Sequence, residues 1–183
     1  MKICLLGSKC GKTSIVQRWT KPYQPIIPEN TIAIDMKSIS LKLDEQISVV
    51  QVWDCSGDDS YMNLLDRYIF NSNCIVVCFD LCDLKSWERA KYWIKRSIEL
   101  SPDVPMCILG NKVDLESKRQ VKEGVVKRHL DSLFIQMVFY SECSAYTGEQ
   151  CKDILHMIVR ETRRTVKVYK PMDLQPEKNC TIV

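Results

Sequence analysis

The apolar run Ile3-Cys4-Leu5-Leu6 ends in Gly7-Ser8-Lys9-Cys10-Gly11-Lys12-Thr13-Ser14, and no other stretch narrows the possible folds so far. A short strand, a glycine turn and Gly-Lys-Thr opening a helical pattern form the chemistry of a phosphate cradle. Backbone N–H groups of such a turn face phosphate oxygens, and the helix N-terminus adds its partial positive charge. Lys12 would reach the terminal phosphates, and the Thr13 hydroxyl would ligate a bridging Mg²⁺. The spacing is one residue short. The common motif has four residues between its glycines, whereas only Ser8, Lys9 and Cys10 separate Gly7 from Gly11. The rest of the chain must carry the assignment.

Ile15, Val16 and Trp19 give the segment from Lys12 to about Thr20 one apolar helical face, which stops at Lys21-Pro22. Pro22, Pro25 and Pro28 make the next stretch an extended surface loop. Two strands follow, over about 34–43 and 46–53, joined through Asp44-Glu45 as a hairpin. Beyond a segment at 58–68 read as mobile and partly helical, strand and helix alternate. Strands are expected at 74–80, 104–109 and 137–143, and helices at about 84–100 (capped by Asp83), 119–131 and 149–165 (with Thr147 and Gln150 as a capping box). Trp87 and Trp93 read as helix-to-sheet core. This alternation predicts an α/β domain with a mostly parallel, doubly wound sheet, whose ligands bind outside the C-terminal ends of the strands.

Composition adds exclusions. With 183 residues, 45% hydrophobic and 27% charged, one domain can bury its core without staples, and a net charge of +3 points to no nucleic-acid partner. Ten cysteines invite a metal or disulfide reading. Their placement in strand-like runs, as at Cys4, Cys74, Cys78, Cys82 and Cys107, instead reads as small buried hydrophobes in a reducing compartment. Met1-Lys2 runs straight into the first strand without a leader's cleavage site, and no apolar run approaches the ~20 residues of a membrane span. A cytoplasmic chain is expected.

Further landmarks fall at strand ends. Asp54, at the end of the second hairpin strand, is followed three positions later by Gly57. Beside a phosphate cradle the carboxylate can support Mg²⁺, and the glycine N–H can approach the γ-phosphate. Asn111-Lys112-Val113-Asp114 follows another strand and Cys143-Ser144-Ala145 a third. The Asp114 carboxylate can accept from the N1–H and 2-amino group of guanine, a pattern that adenine lacks. Lys112 can lie over the base, and Ser144-Ala145 can offer a backbone N–H to its O6.

In these motifs, together with Thr31, residues 2 to about 165 resemble the Ras superfamily of small GTPases. Thr31-Ile32-Ala33-Ile34-Asp35 is most similar to the Rab branch, while Cys10-Gly11-Lys12-Thr13 and Glu142-Cys143-Ser144-Ala145 are similar to the Rho branch. The resemblance implies the P-loop small-GTPase fold, a six-stranded mostly parallel sheet flanked by about five helices, over residues 1–168, with a tail at 169–183. It implies a monomeric GTP/GDP switch in vesicle or membrane traffic. Residues 7–14 (Gly7, Ser8, Lys9, Cys10, Gly11, Lys12, Thr13, Ser14) would bind phosphates. Thr13, Thr31 and Asp54 would serve Mg²⁺. Asn111, Lys112, Asp114, Ser144, Ala145, Tyr146 and Tyr23 would contact the base side, and Lys12, Thr31, Gly57 and Asp58 would carry hydrolysis. An exchange factor, an activating protein and effectors would contact residues 22–36 and 57–70.

The chain departs from the family's pattern in three places. Besides the short cradle, Tyr146 replaces the usual lysine after Ser-Ala, and Asp58 stands where a glutamine normally orients the attacking water. An ionised Asp can only accept hydrogen bonds, so slow hydrolysis is expected. The rival expectation is a permanently GTP-bound or nucleotide-poor scaffold.

The chain closes on Cys180-Thr181-Ile182-Val183, a prenylation box preceded by Arg160, Arg163, Arg164, Lys167, Lys170 and Lys178. One prenyl chain holds a membrane only marginally, so a basic stretch on anionic lipid is the expected second contribution, at a cytosolic membrane face. Cys180→Ser should shift the protein from the membrane to the soluble fraction of cells; unchanged membrane association would overturn the anchor.

Overall fold

The alternation predicted from sequence is realised in the computed structural model, which describes residues 1–23, 31–133 and 138–168. The elements run β1 (Lys2–Leu6), α1 (Lys12–Thr20), β2 (Ile34–Leu43), β3 (Gln46–Cys55), α2 (Met62–Phe70), β4 (Cys74–Asp80), α3 (Leu84–Leu100), β5 (Met106–Asn111), α4 (Glu123–Asp131), β6 (Val138–Cys143) and α5 (Cys151–Val168). The sheet order is β2-β3-β1-β4-β5-β6. Only the β2–β3 pair is antiparallel. The expected loop over 22–31 lies for the most part outside the described residues, as does the tail at 169–183.

Strand alternation divides the core into two layers. Ile3, Leu5, Val76, Cys78, Cys107 and Leu109 face α1 and α5, meeting Ile15, Trp19, Ile154 and Ile158. Cys4, Leu6, Ile75, Val77, Phe79 and Ile108 face the other way, onto Leu65 and Ile69 of α2, Trp87, Trp93 and Ile94 of α3 and Val126 of α4. Central strands buried on both faces read as continuous apolar runs, as β4 does. Nine of the cysteines are free thiols, eight of them buried, as expected of small hydrophobes. Cys82 instead lies half-buried in the turn after β4, its thiol donating to the Leu115 carbonyl.

Three local expectations are corrected. The helix expected over 119–131 begins only at Glu123, with 3-10 turns over Val113–Lys118 before it. The capping box of α5 does not form: Gln150 sits at φ 59, outside helical geometry, and the Thr147 hydroxyl accepts from the Glu149 N–H. The basic run is partly structural. The Arg163 guanidinium donates to Leu43 O (3.0 Å), Gln46 O (3.1 Å) and Ser48 Oγ (2.7 Å), clamping α5 to the hairpin. Arg160 pairs with Asp44 and Arg164 with Glu161. Those charges are largely engaged within the domain.

Register sets the site. Asp54 lies beside Leu5, while Asp80, Asn111 and Cys143 stand abreast at the ends of β4, β5 and β6. Each chemical landmark of the sequence therefore emerges along one edge of the sheet.

Candidate nucleotide site

The cradle turn lies on the sheet. A Cβ on Gly7 would stand 2.2 Å from the Cys78 carbonyl oxygen, so β4 forms the floor of the turn and only glycine fits. The Cys10 thiol points into that floor, donating to Cys78 O at 3.3 Å, and Cys10 is fully buried. Of the cradle residues, Cys10 therefore contributes its backbone rather than its side chain. Lys9 takes the left-handed conformation (φ 49) with its side chain outward, which lets the short turn close. The Lys12 ammonium, buried, donates to Gly7 O at 2.7 Å across the turn. Ser14 is half-buried in the first turn of α1.

Beside Lys12 the expected metal-supporting residues converge. The Thr13 hydroxyl donates to Asp54 Oδ2 at 2.5 Å, and Thr31 Oγ1 lies 3.1 Å from the same oxygen and 2.8 Å from Thr13 Oγ1. Asp54 Oδ1 is buried with no protein partner. Burial pushes the Asp54 carboxyl above the usual carboxylate range, against the bonds from Thr13 and Thr31 and the charge of Lys12. A buried, under-satisfied carboxylate oxygen beside two hydroxyls fits a hard divalent cation, and one carboxylate suffices when phosphate oxygens complete the shell. The donor set fits Mg²⁺.

Gly57 closes the cradle from the other side. A Cβ there would meet Lys9 N at 3.0 Å and Ser8 Cα at 3.2 Å. The Ser8 hydroxyl donates to Gly57 O at 2.9 Å, a contact that sequence reasoning missed. Asp58 next to it is exposed. Its Oδ1 accepts the Ser60 N–H at 2.9 Å, and that bond holds its pKa below the usual range. The carboxylate thus caps the 3-10 turn Asp59–Tyr61.

At the other end of the cradle, Asn111 holds two loops. Its Nδ2 donates to Cys10 O at 2.9 Å and its Oδ1 accepts from Ala145 N at 3.0 Å. The Ala145 N–H expected to be free for a base oxygen is therefore engaged. The Ser144 hydroxyl, fully buried, accepts from Thr147 N and shapes the loop. Lys112, at φ 71, pairs with Asp80 Oδ2 at 2.5 Å. Burial pulls its pKa down, but the Asp80 contact outweighs that, leaving it above its ordinary value. Asp80 was not singled out in the sequence, although its place at the end of an apolar strand is the signal that marked Asp54. Asp114 is the second residue of the 3-10 turns Val113–Lys118 beyond it. Tyr23 and Tyr146 are exposed at 96% and 79%. The Arg18 guanidinium, also missed, binds the carbonyls of both Pro22 and Tyr146 and brings those segments to one end of the site.

These features gather the expected parts of a nucleotide site at the C-terminal edge of a mostly parallel sheet. A family model described as the Ras family matches residues 2–164. The chain is 32% identical over 164 residues to the GTP-binding protein ypt5 of Schizosaccharomyces pombe, covering 87% of this chain and 76% of that protein. It is 30% identical over 174 residues to the Ras-related protein RABF2a of Arabidopsis thaliana, covering 93% and 84%. It also matches the human EF-hand calcium-binding domain-containing protein 4B, at 30% identity over 91% of this chain but only 23% of that protein. The chain belongs to the Ras family. It is a Rab-like small GTPase.

The two base-side loops are tied by Arg119, which binds Glu142 through Nη1 at 2.9 Å and Nη2 at 2.7 Å, while the Tyr140 hydroxyl donates to the same carboxylate. Burial pushes Glu142 up, but the Arg119 and Tyr140 bonds outweigh it, leaving the carboxyl below its usual range. A depressed carboxyl contributes stability above its unfolded pKa of ~4.3, and the contribution is lost as pH falls through the folded value. Arg119→Leu should therefore cost about 2 kcal/mol in urea melts at pH 7. That loss should shrink only as pH falls below ~4.3 and through the depressed folded value, where Glu142 takes up its proton.

Proposed function

We propose that this GTPase is a GTP/GDP switch acting in membrane traffic, with residues 1–168 as the nucleotide-binding domain. The observation that carries the reading is the meeting of the Thr13 and Thr31 hydroxyls on Asp54, whose other oxygen is buried without a partner, beside Lys12. Thr13 lies on α1 and Asp54 on β3, whereas Thr31 belongs to the expected first switch segment, so a ligand that draws on all three orders that segment. Thr13, Thr31 and Asp54 would hold Mg²⁺, which when bound would supply positive charge against the phosphates.

The chain's own groups have separable roles. Lys12 and the backbone N–H groups of residues 7–14 bind and orient the phosphates. The Gly57 N–H faces the γ-phosphate. Asn111 holds the cradle against the base loop, Asp114 selects guanine, and Lys112, Ala145, Tyr146 and Tyr23 flank the base. In hydrolysis a water oxygen bonds to the γ-phosphorus, the bond to the bridging oxygen breaks, and GDP leaves. The water's proton must be accepted and its oxygen aimed. Asp58 can accept but cannot donate to the phosphate, and here it is turned onto Ser60. Slow intrinsic hydrolysis follows, with cycling left to an activating protein and an exchange factor that engage residues 22–36 and 57–70. A prenyl group on Cys180 and the lysines of 169–183 would supply the membrane contact.

The engaged Asp58 also favours a second reading, a module locked in the GTP state. Chromatography of nucleotide released from purified protein separates the two. GDP supports the switch, retained GTP supports the locked module, and the absence of nucleotide refutes both. Asp58→Gln should raise the single-turnover GTPase rate on the order of tenfold; an unchanged or lower rate would assign the slowness to the short cradle instead.

A further inference from the structure

Arg18 lies on α1, on the helix that begins at the cradle, and its side chain reaches two segments far apart in sequence. Nε donates to Ala145 O at 2.9 Å, Nη2 to Tyr146 O at 2.7 Å and Nη1 to Pro22 O at 2.6 Å. The side chain lies flat against the same loop, since a Cβ on Gly148 would touch Arg18 Cδ at 3.5 Å and Nε at 3.6 Å. The neighbouring Trp19 indole donates to Cys151 O at 2.8 Å, fixing the helix that presents Arg18. The Ala145 peptide is thus held from both sides, its N–H by Asn111 and its carbonyl by Arg18. A planar guanidinium with five donors can span three carbonyls at once; a lysine ammonium on its flexible stem cannot reproduce that fork.

We infer that Arg18 is a positioning residue that couples the base-contacting loop, residues 143–146, to the entrance of the segment beginning at Pro22. The inference rests on the nucleotide reading of the site and deepens it. A guanine nucleotide that orders the loop keeps the Ala145 and Tyr146 carbonyls in place for Nε and Nη2, and so keeps Nη1 on Pro22. Linkage makes the effect reciprocal. A partner protein that draws Pro22 away removes one leg of the fork and loosens the base loop without touching the phosphates. Nucleotide release then has a base-side route, separate from disturbance of the Mg²⁺-supporting residues.

Two measurements on the full chain test this. The first is dissociation of N-methylanthraniloyl-GDP, chased with excess GDP. The second is chymotryptic cleavage after Tyr23, 96% exposed one residue beyond Pro22, read by mass spectrometry as the 1–23 fragment with and without saturating GDP. Cleavage reports the population of the opened segment. In the wild type, GDP should slow the cut. Arg18→Ala should accelerate nucleotide dissociation about tenfold and abolish GDP protection at Tyr23. Arg18→Lys, which keeps the charge and one bond, should be intermediate in both, and it carries the test if the alanine variant does not fold. Wild-type dissociation rates in the variants overturn the inference. Faster dissociation with GDP protection intact also overturns it, because Arg18 would then brace the loop alone. Wild-type protein that binds no fluorescent GDP overturns the nucleotide reading, and the inference with it.

Discussion

The amide of Asn111 is the interaction on which the site's geometry rests. It stands at the end of β5, 2% exposed, with Asp80 and Cys143 abreast of it on the neighbouring strands. One end of the amide holds the cradle at Cys10 and the other holds the loop after β6 at Ala145. A buried amide with both ends satisfied contributes modestly, but one left unpaired costs the full desolvation of its polar atoms. The cradle and the base loop therefore cannot move apart independently. The turn after β1 and the loop after β6, far apart in the sequence, share one hinge pin.

The short cradle is packed just as tightly. With one residue fewer than the common motif, the turn closes through the left-handed Lys9, and the Cys10 side chain becomes a plug between the turn and β4. The segment after β3 fills the remaining space, Gly57 lying against Ser8 and Lys9 with the Ser8 hydroxyl on its carbonyl. The turn and the expected second switch thus touch directly. In this chain, a change in either is a change in both.

Much of the fold was legible because period and punctuation agree with burial. β4 reads as unbroken apolar sequence and is buried on both faces; Asp83 caps α3 by accepting from Lys85 N. The strand-end motifs were legible because each sits where a parallel sheet presents its ligands. What failed to show was conformation set by distant contacts. Thr147 and Gln150 have the right spacing for a capping box, yet Gln150 is left-handed because the loop folds back on itself through Ser144 N to Glu149 O and Gly148 N to Ser144 O. Arg163 reads as a member of a basic tail, and only the tertiary structure brings the hairpin carbonyls to it. Arg18 carries no local signal for the same reason. A long cation declares its partners only in three dimensions, because its reach exceeds any local pattern.

The sulfur content has a consequence for selectivity in chemical modification. Cys4, Cys10, Cys55, Cys74, Cys78, Cys107 and Cys143 are wholly enclosed, and Cys151 is 2% exposed. Burial pushes the Cys74 thiol up to about 12, so it is scarcely ionised as well as shielded. Even half-buried Cys82 is raised, by desolvation and the Asp80 charge. Electrophiles attack thiolate in reach of solvent. Among the described residues, the folded domain offers such a reagent Cys82 at most. Sulfur used as packing material is chemically quiet.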